Sequence, residues 1–414
     1  MPAPEAQILL IGSELTQGRL ADKNGKFLAQ ELSQLGLFVQ EIHILPDEPQ
    51  LLRSAMESAL KSNTQLILSS GGLGHTSDDL TATLWAEVLG DRLEVSETLL
   101  SHLHALLQSR GISSLPYLER YALAPQRGEA LINPVGLAPA LYWETGSKII
   151  CALPGPPAEL QAIWHTTLKA RLQQRFPQPP PLSHSMRTTG ISESRLTDLI
   201  ASWEAALPST FRLSYNPSWE GVTLYLQAPS DTDPTLFAQQ IESLRALIRP
   251  YLYAEGSLSL AEAILHRLRQ LGLTLAVAES CTGGHLAAEI VNIPGASEVF
   301  LGGIVAYANS AKVSLLGVSE ATLQKEGAVS ETTALQMAEG VRQAFGAAVG
   351  MATTGIAGPT GGSADKPVGT VWFGIATPHA TSAKRYLFSG DRGVIIQRAT
   401  ATALSLLWQS LQPL

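Results

Sequence analysis

The sequence is short of the features that mark several classes of protein. It has only two cysteines, Cys151 and Cys281, in 414 residues, so a reducing, cytoplasmic compartment is the simplest expectation. Neither a CxxC motif nor paired histidines at metal-binding spacing occur, which argues against a structural zinc site. The formal net charge is -8 and no basic block is present. We therefore expect no nucleic-acid or membrane partner.

Long apolar runs are missing as well. No stretch of about 18 uncharged apolar residues occurs, and residues 1–7 lack a basic start followed by an apolar run, so neither a transmembrane helix nor a signal peptide is expected. What is present is an apolar fraction of 45% beside a charged fraction of 15%, which is typical of a folded globular protein. A chain of 414 residues is too long for one ordinary core, so two or three domains are expected.

Strand and helix signals alternate along the first third of the chain. Their order, βαβαβα, predicts a parallel sheet covered by helices on both faces. A proline-rich run at 177–181 indicates a stiff linker, and from Leu258 onward the alternation returns. The sequence therefore predicts an α/β protein with a three-layer domain at 1–170, a small α+β module at 177–255 and a second α/β domain at 258–414.

The most informative motif is a pair of small nucleophiles at the end of an apolar run. Ser280 and Cys281 follow a predicted buried strand and precede Gly283 and Gly284. Glycines here open a turn into a helix, whose N–H groups are able to hold an anion or an oxyanion. Adjacent side chains on an extended chain point in opposite directions, so only one nucleophile should face the site. The sequence leaves open which one.

A serine hydroxyl needs a base, and Lys312 is the candidate. The one histidine near the turn is His285, which gives a Ser-His-Asp arrangement no obvious source. A desolvated lysine with a lowered pKa can take the proton instead, and Tyr307 can relay it or hold the geometry. Taken singly, Ser280 is typical of a turn, Lys312 of a solvated helix surface and Tyr307 of a core. Their combination predicts an amide-cleaving Ser/Lys site.

Two further features belong to this predicted site. A glycine-rich turn at 354–359 has bare backbone able to supply oxyanion donors, although a tight loop of no function has the same pattern. Arg392 stands just before the last predicted helix, where a guanidinium near a helix N-terminus suits a phosphate. The alternative for Arg392 is a surface salt bridge with Asp391.

A second candidate site lies near the N-terminus. Gly72 and Gly74 follow a buried strand, and Asp78 and Asp79 open the next predicted helix. Glycines after a strand suit a phosphate-binding turn, and two carboxylates beside it suggest a divalent metal that bridges them to the ligand. Glu14, after the first strand, is expected at the same edge of the sheet. The alternative is that the two aspartates only cap the helix.

Residues 258–414 resemble the nicotinamide-nucleotide amidohydrolase domain of the competence/damage-inducible CinA family. The matching stretches are AESCTGG at 278, FLGGIVAYANSAK at 300, GAVSE at 327, TGIAGPTGG at 354, KPVGTVWF at 366 and SGDR at 389. The resemblance implies hydrolysis of nicotinamide mononucleotide to nicotinate mononucleotide and ammonia, without a cofactor. It makes Ser280 the nucleophile, Lys312 its base and Tyr307 an assistant. The substrate-binding residues it implies are Thr282, Gly283, Thr354, Gly355, Ile356, Ala357 and, near the phosphate, Arg392.

Residues 1 to about 170 resemble the molybdopterin-binding (MoCF-like) domain of the same family. GSEL at 12, GGLGHTSDDLT at 71 and LPGPPAEL at 153 carry this likeness, with Gly18, Asp22 and Asn24. It implies ADP-ribose pyrophosphate hydrolysis with magnesium, manganese or cobalt. Asp78 and Asp79 are the expected metal ligands, and Glu14, Asn24, Gly72, Gly74 and Asp79 are the expected substrate contacts.

The middle segment resembles the family's KH-like module, through RTTGISES at 187 and SYNPSWEGVTLYL at 214. It lacks the Gly-x-x-Gly loop with which a KH domain clamps nucleic acid, so we interpret it as architectural. The expected protein is a cytoplasmic homodimer acting on small nucleotides. Two alternatives remain: a Ser/Lys amidase for another small amide, and a non-catalytic protein that binds nucleotide or molybdopterin or serves as a competence partner.

Overall fold

The computed structural model describes residues 4–76, 78–113, 115–177 and 179–412. Ser77, in the predicted ligand turn, and Gln178, in the predicted linker, lie outside the described residues. The chain folds as two compact units, 1–181 and 182–414. The division into three domains stays a prediction, and the second unit contains two separate sheets.

The first unit is built on a six-stranded sheet. The unit has eight strands among its described residues, six of them in this sheet. They are β1 (Glu5–Ile11), β2 (Phe38–Leu45), β3 (Leu66–Ser70), β4 (Leu93–Val95), β5 (Leu123–Pro125), β6 (Gly128–Leu131), β7 (Ala140–Thr145) and β8 (Lys148–Leu153). The sheet has the order β2-β1-β3-β8-β7-β6, and β4 and β5 form a separate ribbon. Strands β2, β1, β3 and β8 are parallel, and β7 and β6 are antiparallel additions.

Helices cover both faces of this sheet. They are α1 (Ser13–Thr16), α2 (Asn24–Gln34), α3 (Pro49–Lys61), α4 (Thr81–Val88), α5 (Glu97–Ser109), α6 (Leu118–Tyr121), α7 (Pro157–Ile163) and α8 (Lys169–Arg175), the last two joined by a π-helical turn at Trp164–Leu168. Along β1, Ile8 and Leu10 enter one core while Leu9 and Ile11 enter the other. The predicted three-layer α/β fold is therefore confirmed.

The second unit begins with a four-stranded antiparallel sheet of order β10-β11-β9-β12. Its elements are β9 (Leu182–Thr188), α9 (Glu193–Ala205), β10 (Arg212–Pro217), β11 (Val222–Ala228), α10 (Pro234–Ile248) and β12 (Leu252–Glu255). Both helices pack their apolar faces on the sheet, in a core that includes Leu196, Ile200 and Leu244. The segment is a small α+β module, and its likeness to a KH domain stays a prediction.

A five-stranded sheet organises the rest of the second unit. Its elements are α11 (Leu260–Leu271), β13 (Leu275–Glu279), α12 (His285–Val291), a 3-10 turn (Ala296–Glu298), β14 (Phe300–Val305), α13 (Asn309–Leu316), α14 (Glu320–Lys325), α15 (Glu331–Phe345), β15 (Val349–Gly355), β16 (Thr370–Ala376), β17 (Thr381–Leu387) and α16 (Arg392–Ser410). The order is β14-β13-β15-β16-β17, with β13 parallel to both its neighbours and β16 and β17 antiparallel.

This second sheet is also covered on both faces. Leu275 and Val277 of β13 pack in the core with α11, α12 and α16, whereas Ala276 and Ala278 pack against α15. All five residues of β13 are buried, so the strand delivers its carboxyl end to the interior of the unit. Among the described helices, none has the length and apolar character needed to cross a membrane.

Candidate active site

Ser280 lies at the carboxyl end of the central strand β13. Its N–H donates to the carbonyl of Thr353 on β15 at 2.9 Å, which continues the sheet by one residue and fixes the serine. The chain then reverses into α12 through Gly283 and Gly284, whose φ angles of +60° and +101° lie in the left-handed region. Glycine is the residue that adopts this region without strain. The two glycines therefore let a buried strand end in a tight, outward turn.

Lys312 reaches Ser280 from α13, on the other side of the pocket. Its Nζ lies 3.0 Å from the Oγ of Ser280, 2.8 Å from the carbonyl oxygen of Ala306 and 3.2 Å from that of Tyr307. The lysine is only 1% exposed. Burial lowers the pKa of Lys312 below its ordinary value of 10.5, while the nearby Cys281 acts in the opposite direction, because a low-dielectric interior disfavours the charged form of an amine.

The three partners of this amine can all accept a hydrogen bond, so they satisfy both its charged and its neutral form. Peptide carbonyl oxygens only accept hydrogen bonds, and a neutral amine has two N–H groups and one lone pair. The Nζ of Lys312 can therefore donate to the carbonyls of Ala306 and Tyr307 and keep its lone pair for the Ser280 hydroxyl. In the structure the lysine donates to the serine oxygen at 3.0 Å; a neutral amine reverses this hydrogen bond, so that the serine O–H donates and Lys312 is placed to remove the proton.

Cys281 is the rival nucleophile, and its surroundings differ. Its side chain packs in the core formed with α11, α12 and α16. Burial raises the pKa of Cys281 to about 12, so the thiol stays protonated near neutral pH and is a weak nucleophile. Cys281 is also among the residues that line the cavity, but the side chain that Lys312 contacts is the serine.

The site opens into a cavity of about 180 Å³. Seven of the predicted residues line it, namely Ser280, Tyr307, Lys312, Thr354, Gly355, Ala357 and Arg392. Three residues that sequence reasoning missed also line it: Asn309, Ala328 and Val329. Asn309 lies one helical turn before Lys312, and that i, i+3 spacing is the signal that would have found it. Ala328 and Val329 come from a loop whose position depends on tertiary structure.

Three other predicted contacts are not among the residues that line this cavity. The Thr282 hydroxyl is fully buried and pairs with that of Thr353 at 2.7 Å. The N–H of Gly283 donates to the Ser280 carbonyl, and that of Ile356 donates to the Thr370 carbonyl. These groups shape the walls of the pocket from behind.

The N–H groups that open α12 have a different partner from the one expected. The sequence suggests that they hold an anion from outside the protein. In the structure the carboxylate of Glu279 accepts the N–H groups of Gly284 at 3.0 Å, Leu286 at 3.1 Å and Ala287 at 2.8 Å. A carboxylate of the chain therefore occupies the start of this helix, where anions are stabilised.

Arg392 and Tyr307 meet at the mouth of the cavity. The guanidinium of Arg392 donates to the Tyr307 hydroxyl at 3.0 Å and to the carbonyl of Gly358 at 2.8 Å. Tyr307 is 61% exposed, and it contacts Lys312 through its carbonyl oxygen. A guanidinium has five N–H donors, so Arg392 retains donors for a ligand.

The first unit has a cavity of about 380 Å³ at the second predicted site. Gly72, Gly74 and Asp79 line it as predicted. Asp79 accepts the N–H and the hydroxyl of Thr76 at 2.9 and 2.5 Å, which holds the glycine turn closed. A Cβ on Gly74 would lie 2.3 Å from the Asp79 carboxylate, so a larger residue here would displace that side chain.

Sequence reasoning missed three charged or polar residues in this cavity, Arg110, Tyr121 and Glu159. Burial raises the pKa of Glu159, whose carboxylate accepts the Asn133 amide at 2.7 Å. Arg110 directly follows α5, Tyr121 ends α6 and Glu159 lies in α7, so they are separated along the chain. No short-range sequence signal brings them together.

Of the two predicted metal ligands, Asp79 lines this cavity and Asp78 does not. The residues that line this cavity do not include Glu14, Asn24 or Asp78. The side-chain NH2 group of Asn24 donates to the Ser70 hydroxyl and to the Gly155 carbonyl inside the protein. Across residues 4–76, 78–113, 115–177 and 179–412, no group of three or more His, Cys, Asp or Glu side chains is placed to hold a metal ion. A cation here would depend on oxygen atoms of the ligand itself.

Two family models match the chain. One, described as the CinA C-terminal domain, matches residues 257–411, and the other, described as a probable molybdopterin binding domain, matches residues 7–174. The two units therefore combine the domains of a CinA-type protein. The chain belongs to the CinA-like family, because relatives of that description match it from end to end.

Among these relatives, a CinA-like protein of Amoebophilus asiaticus is 36% identical over 98% of this chain and 99% of its own. A putative competence-damage inducible protein of Clostridioides difficile is 34% identical over 99% of this chain and 100% of its own. The crystal structure of the competence/damage inducible protein CihA from Agrobacterium tumefaciens is 42% identical and covers 36% of this chain and 91% of that chain, with a TM-score of 0.35.

Proposed function

We propose that the second unit hydrolyses the carboxamide of nicotinamide mononucleotide to nicotinate mononucleotide and ammonia. One observation carries this proposal: the Nζ of the buried Lys312 lies 3.0 Å from the Oγ of Ser280 at a cavity wall. A hydroxyl beside a neutral amine in a desolvated pocket suits nucleophilic attack on an acyl carbon. Membership of the CinA-like family supports nicotinamide mononucleotide as the substrate.

The reaction follows from the roles of the two side chains. Lys312 removes the hydroxyl proton of Ser280 while Oγ attacks the carboxamide carbon, which gives a tetrahedral intermediate with its charge on oxygen. The lysine ammonium returns the proton to the amide nitrogen, the C–N bond breaks, and ammonia leaves behind a serine ester. A water molecule, deprotonated by the same lysine, then attacks the ester and releases the carboxylate. The lysine ammonium gives its proton to the departing Ser280 oxygen as the ester bond breaks, so Lys312 ends as the neutral amine, and the acid that forms loses its proton to water.

The size of the cavity indicates which part of the substrate enters it. Pockets that hold a whole small ligand are usually about 300 to 1,000 Å³, and this one is about 180 Å³. It suits the pyridine carboxamide, with the ribose phosphate extending to the mouth where Arg392 lies. The unphosphorylated riboside should therefore be a much poorer substrate.

Ammonia release from nicotinamide mononucleotide by the purified protein tests the proposal. We expect Ser280→Ala to reduce the rate to background, because the nucleophile is gone. Cys281→Ala is the matched control, and it should keep most of the activity. Loss of activity in Cys281→Ala together with retention in Ser280→Ala would show that the thiol is the nucleophile. Turnover of another small amide with no turnover of the nucleotide would favour the more general Ser/Lys amidase.

We also propose metal-dependent hydrolysis of ADP-ribose in the first unit. The cavity lined by Gly72, Gly74, Asp79 and Arg110 supports it, since a glycine turn and a guanidinium suit a diphosphate. The test is release of AMP from ADP-ribose with added magnesium, manganese or cobalt. Ligand binding without turnover would favour a role in binding nucleotide or molybdopterin.

A cytoplasmic homodimer is part of the same proposal. Light scattering on the purified chain, with fractionation of cells that express it, tests both statements. A monomer, or recovery outside the cytoplasmic fraction, would contradict them.

A further inference from the structure

Glu279 is a buried charge for which the proposed reaction has no use. It is the last residue of β13 and the immediate neighbour of Ser280, and it is only 1% exposed. Its carboxylate accepts the N–H groups of Gly284, Leu286 and Ala287. A carboxylate is costly to bury unless hydrogen bonds and charge compensate it, and three peptide donors at a helix N-terminus supply both.

These contacts close the nucleophile turn into a ring. The backbone leaves Glu279 at Ser280 and returns at Gly284, where the Glu279 side chain binds it again. Inside the ring the N–H of Gly283 donates to the Ser280 carbonyl at 3.2 Å. The five residues 280–284 are thus joined to Glu279 by the peptide bond at one end and by its side chain at the other.

The main chain of Glu279 holds the other half of the pair. Its carbonyl oxygen accepts the N–H of Ala306 at 2.8 Å. The carbonyl oxygen of Ala306 in turn accepts the Nζ of Lys312, also at 2.8 Å. One residue is therefore connected to the nucleophile through its side chain and to the base through its backbone.

We infer that Glu279 is the positioning residue of the Ser280–Lys312 pair, acting through the turn it closes and not on the substrate. The inference rests on the proposed Ser/Lys chemistry. Removal of one of its acceptors should let the turn relax and the Oγ–Nζ distance grow. Because reactivity falls steeply with misplacement of about 1 Å, the loss should appear in the reactivity of Ser280 itself.

The experiment measures that reactivity without the nucleotide substrate. Phosphonylation of Ser280 by a small alkyl fluorophosphonate is followed by intact mass, in the full chain, at a temperature well below unfolding. We expect Glu279→Gln, which keeps the shape but replaces one acceptor oxygen by a donor, to lower the labelling rate at least about tenfold. Glu279→Asp keeps the charge and should recover part of the rate.

Glu262→Gln is the matched control for stability. Glu262 is also a carboxylate at a helix N-terminus, where it accepts the N–H of Ser259 at 2.7 Å and completes the capping box of α11. We expect Glu262→Gln to lower the thermal midpoint and leave the labelling rate unchanged. For Glu279→Gln, kcat for ammonia release should fall while KM changes little, because the substrate contacts remain.

Each outcome decides the inference. Labelling of Glu279→Gln at the wild-type rate would overturn it, and where that variant does not fold, wild-type labelling of Glu279→Asp with its shorter side chain does so equally. A wild-type protein in which Ser280 resists the reagent would instead sink the proposed nucleophile, and the positioning role with it. If the variants label as expected but the protein does not hydrolyse nicotinamide mononucleotide, the proposed substrate is wrong and the positioning role of Glu279 stands.

Discussion

The two cavities use charge in opposite ways. In the second unit the amine of Lys312 is buried among carbonyl and hydroxyl oxygens, and burial lowers its pKa. In the first unit the carboxylates of Asp79 and Glu159 line a larger cavity together with Arg110. Desolvation favours a basic, neutral amine at the cavity of the second unit, whereas charged groups of both signs line the cavity of the first unit. A neutral nucleophile with its base suits an uncharged amide, and the Arg110 guanidinium suits an anionic diphosphate.

Removal of the buried amine of Lys312 should have the largest effect. We expect Lys312→Met to lower kcat for ammonia release by about 100-fold to 10,000-fold, the range for loss of a general base. Lys325→Met is the matched control, because Lys325 is an exposed residue in the last turn of α14, and it should retain full activity. A Lys312→Met protein with near wild-type turnover, folded by circular dichroism, would remove the amine from the mechanism.

A chelator should separate the two sites. No carboxylate lines the cavity at Ser280 among the described residues, so ammonia release should be unchanged by EDTA. ADP-ribose hydrolysis should fall by about 100-fold or more, since metal stabilisation of phosphate charge supplies several kcal/mol. Added magnesium, manganese or cobalt should restore it. Equal inhibition of both activities by EDTA would contradict the contrast.

Arg392 tests where the substrate phosphate lies. We expect Arg392→Ala to raise KM for nicotinamide mononucleotide by about tenfold or more, the worth of one charge-assisted hydrogen bond. The rate for the unphosphorylated riboside should change much less, and this serves as the internal control. A similar loss for both substrates would mean that Arg392 acts through Tyr307 and Gly358, which it contacts in the structure.

The smallest effect concerns stability and pH. Burial lowers the pKa of Lys312, so at pH values between the folded-state pKa and the ordinary value of 10.5 the unfolded chain binds more protons at this site than the folded chain. The resulting penalty on folding is full below the folded-state pKa and decreases as the pH rises towards 10.5. Over that rise, the thermal midpoint of the wild type should increase relative to that of Lys312→Met. Parallel curves would show that the lysine is charged when folded.

The sequence predicted the Ser280–Lys312 pair because short motifs carry it. A strand that ends in a nucleophile and two glycines is local, and the lysine lies within the next stretch of the matching pattern. No local sequence feature distinguishes Ser280 from Cys281 as the candidate nucleophile. It required the packing of the Cys281 thiol into the core behind the turn.

A weak local signal explains some of the elements and residues that were missed, but not helix α5. Strand β17 is an exposed edge strand with charged residues, so it shows none of the apolar alternation that identifies a half-buried strand. Helix α5 does repeat leucine every fourth residue, at Leu99, Leu103 and Leu107, but it was not among the predicted elements. Arg110 and Glu159 meet at one cavity only after the sheet has formed.

The peptide group of Ala306 has a consequence for dynamics. It belongs to the segment that leaves β14, an outermost strand of the sheet, and its N–H and carbonyl connect Glu279 to Lys312. Local opening at the edge of the sheet would therefore separate Lys312 from Ser280 before the rest of the unit unfolds. The deuterium uptake of this single amide would report how often the contact between Lys312 and Ser280 opens, in a molecule that is otherwise fully folded.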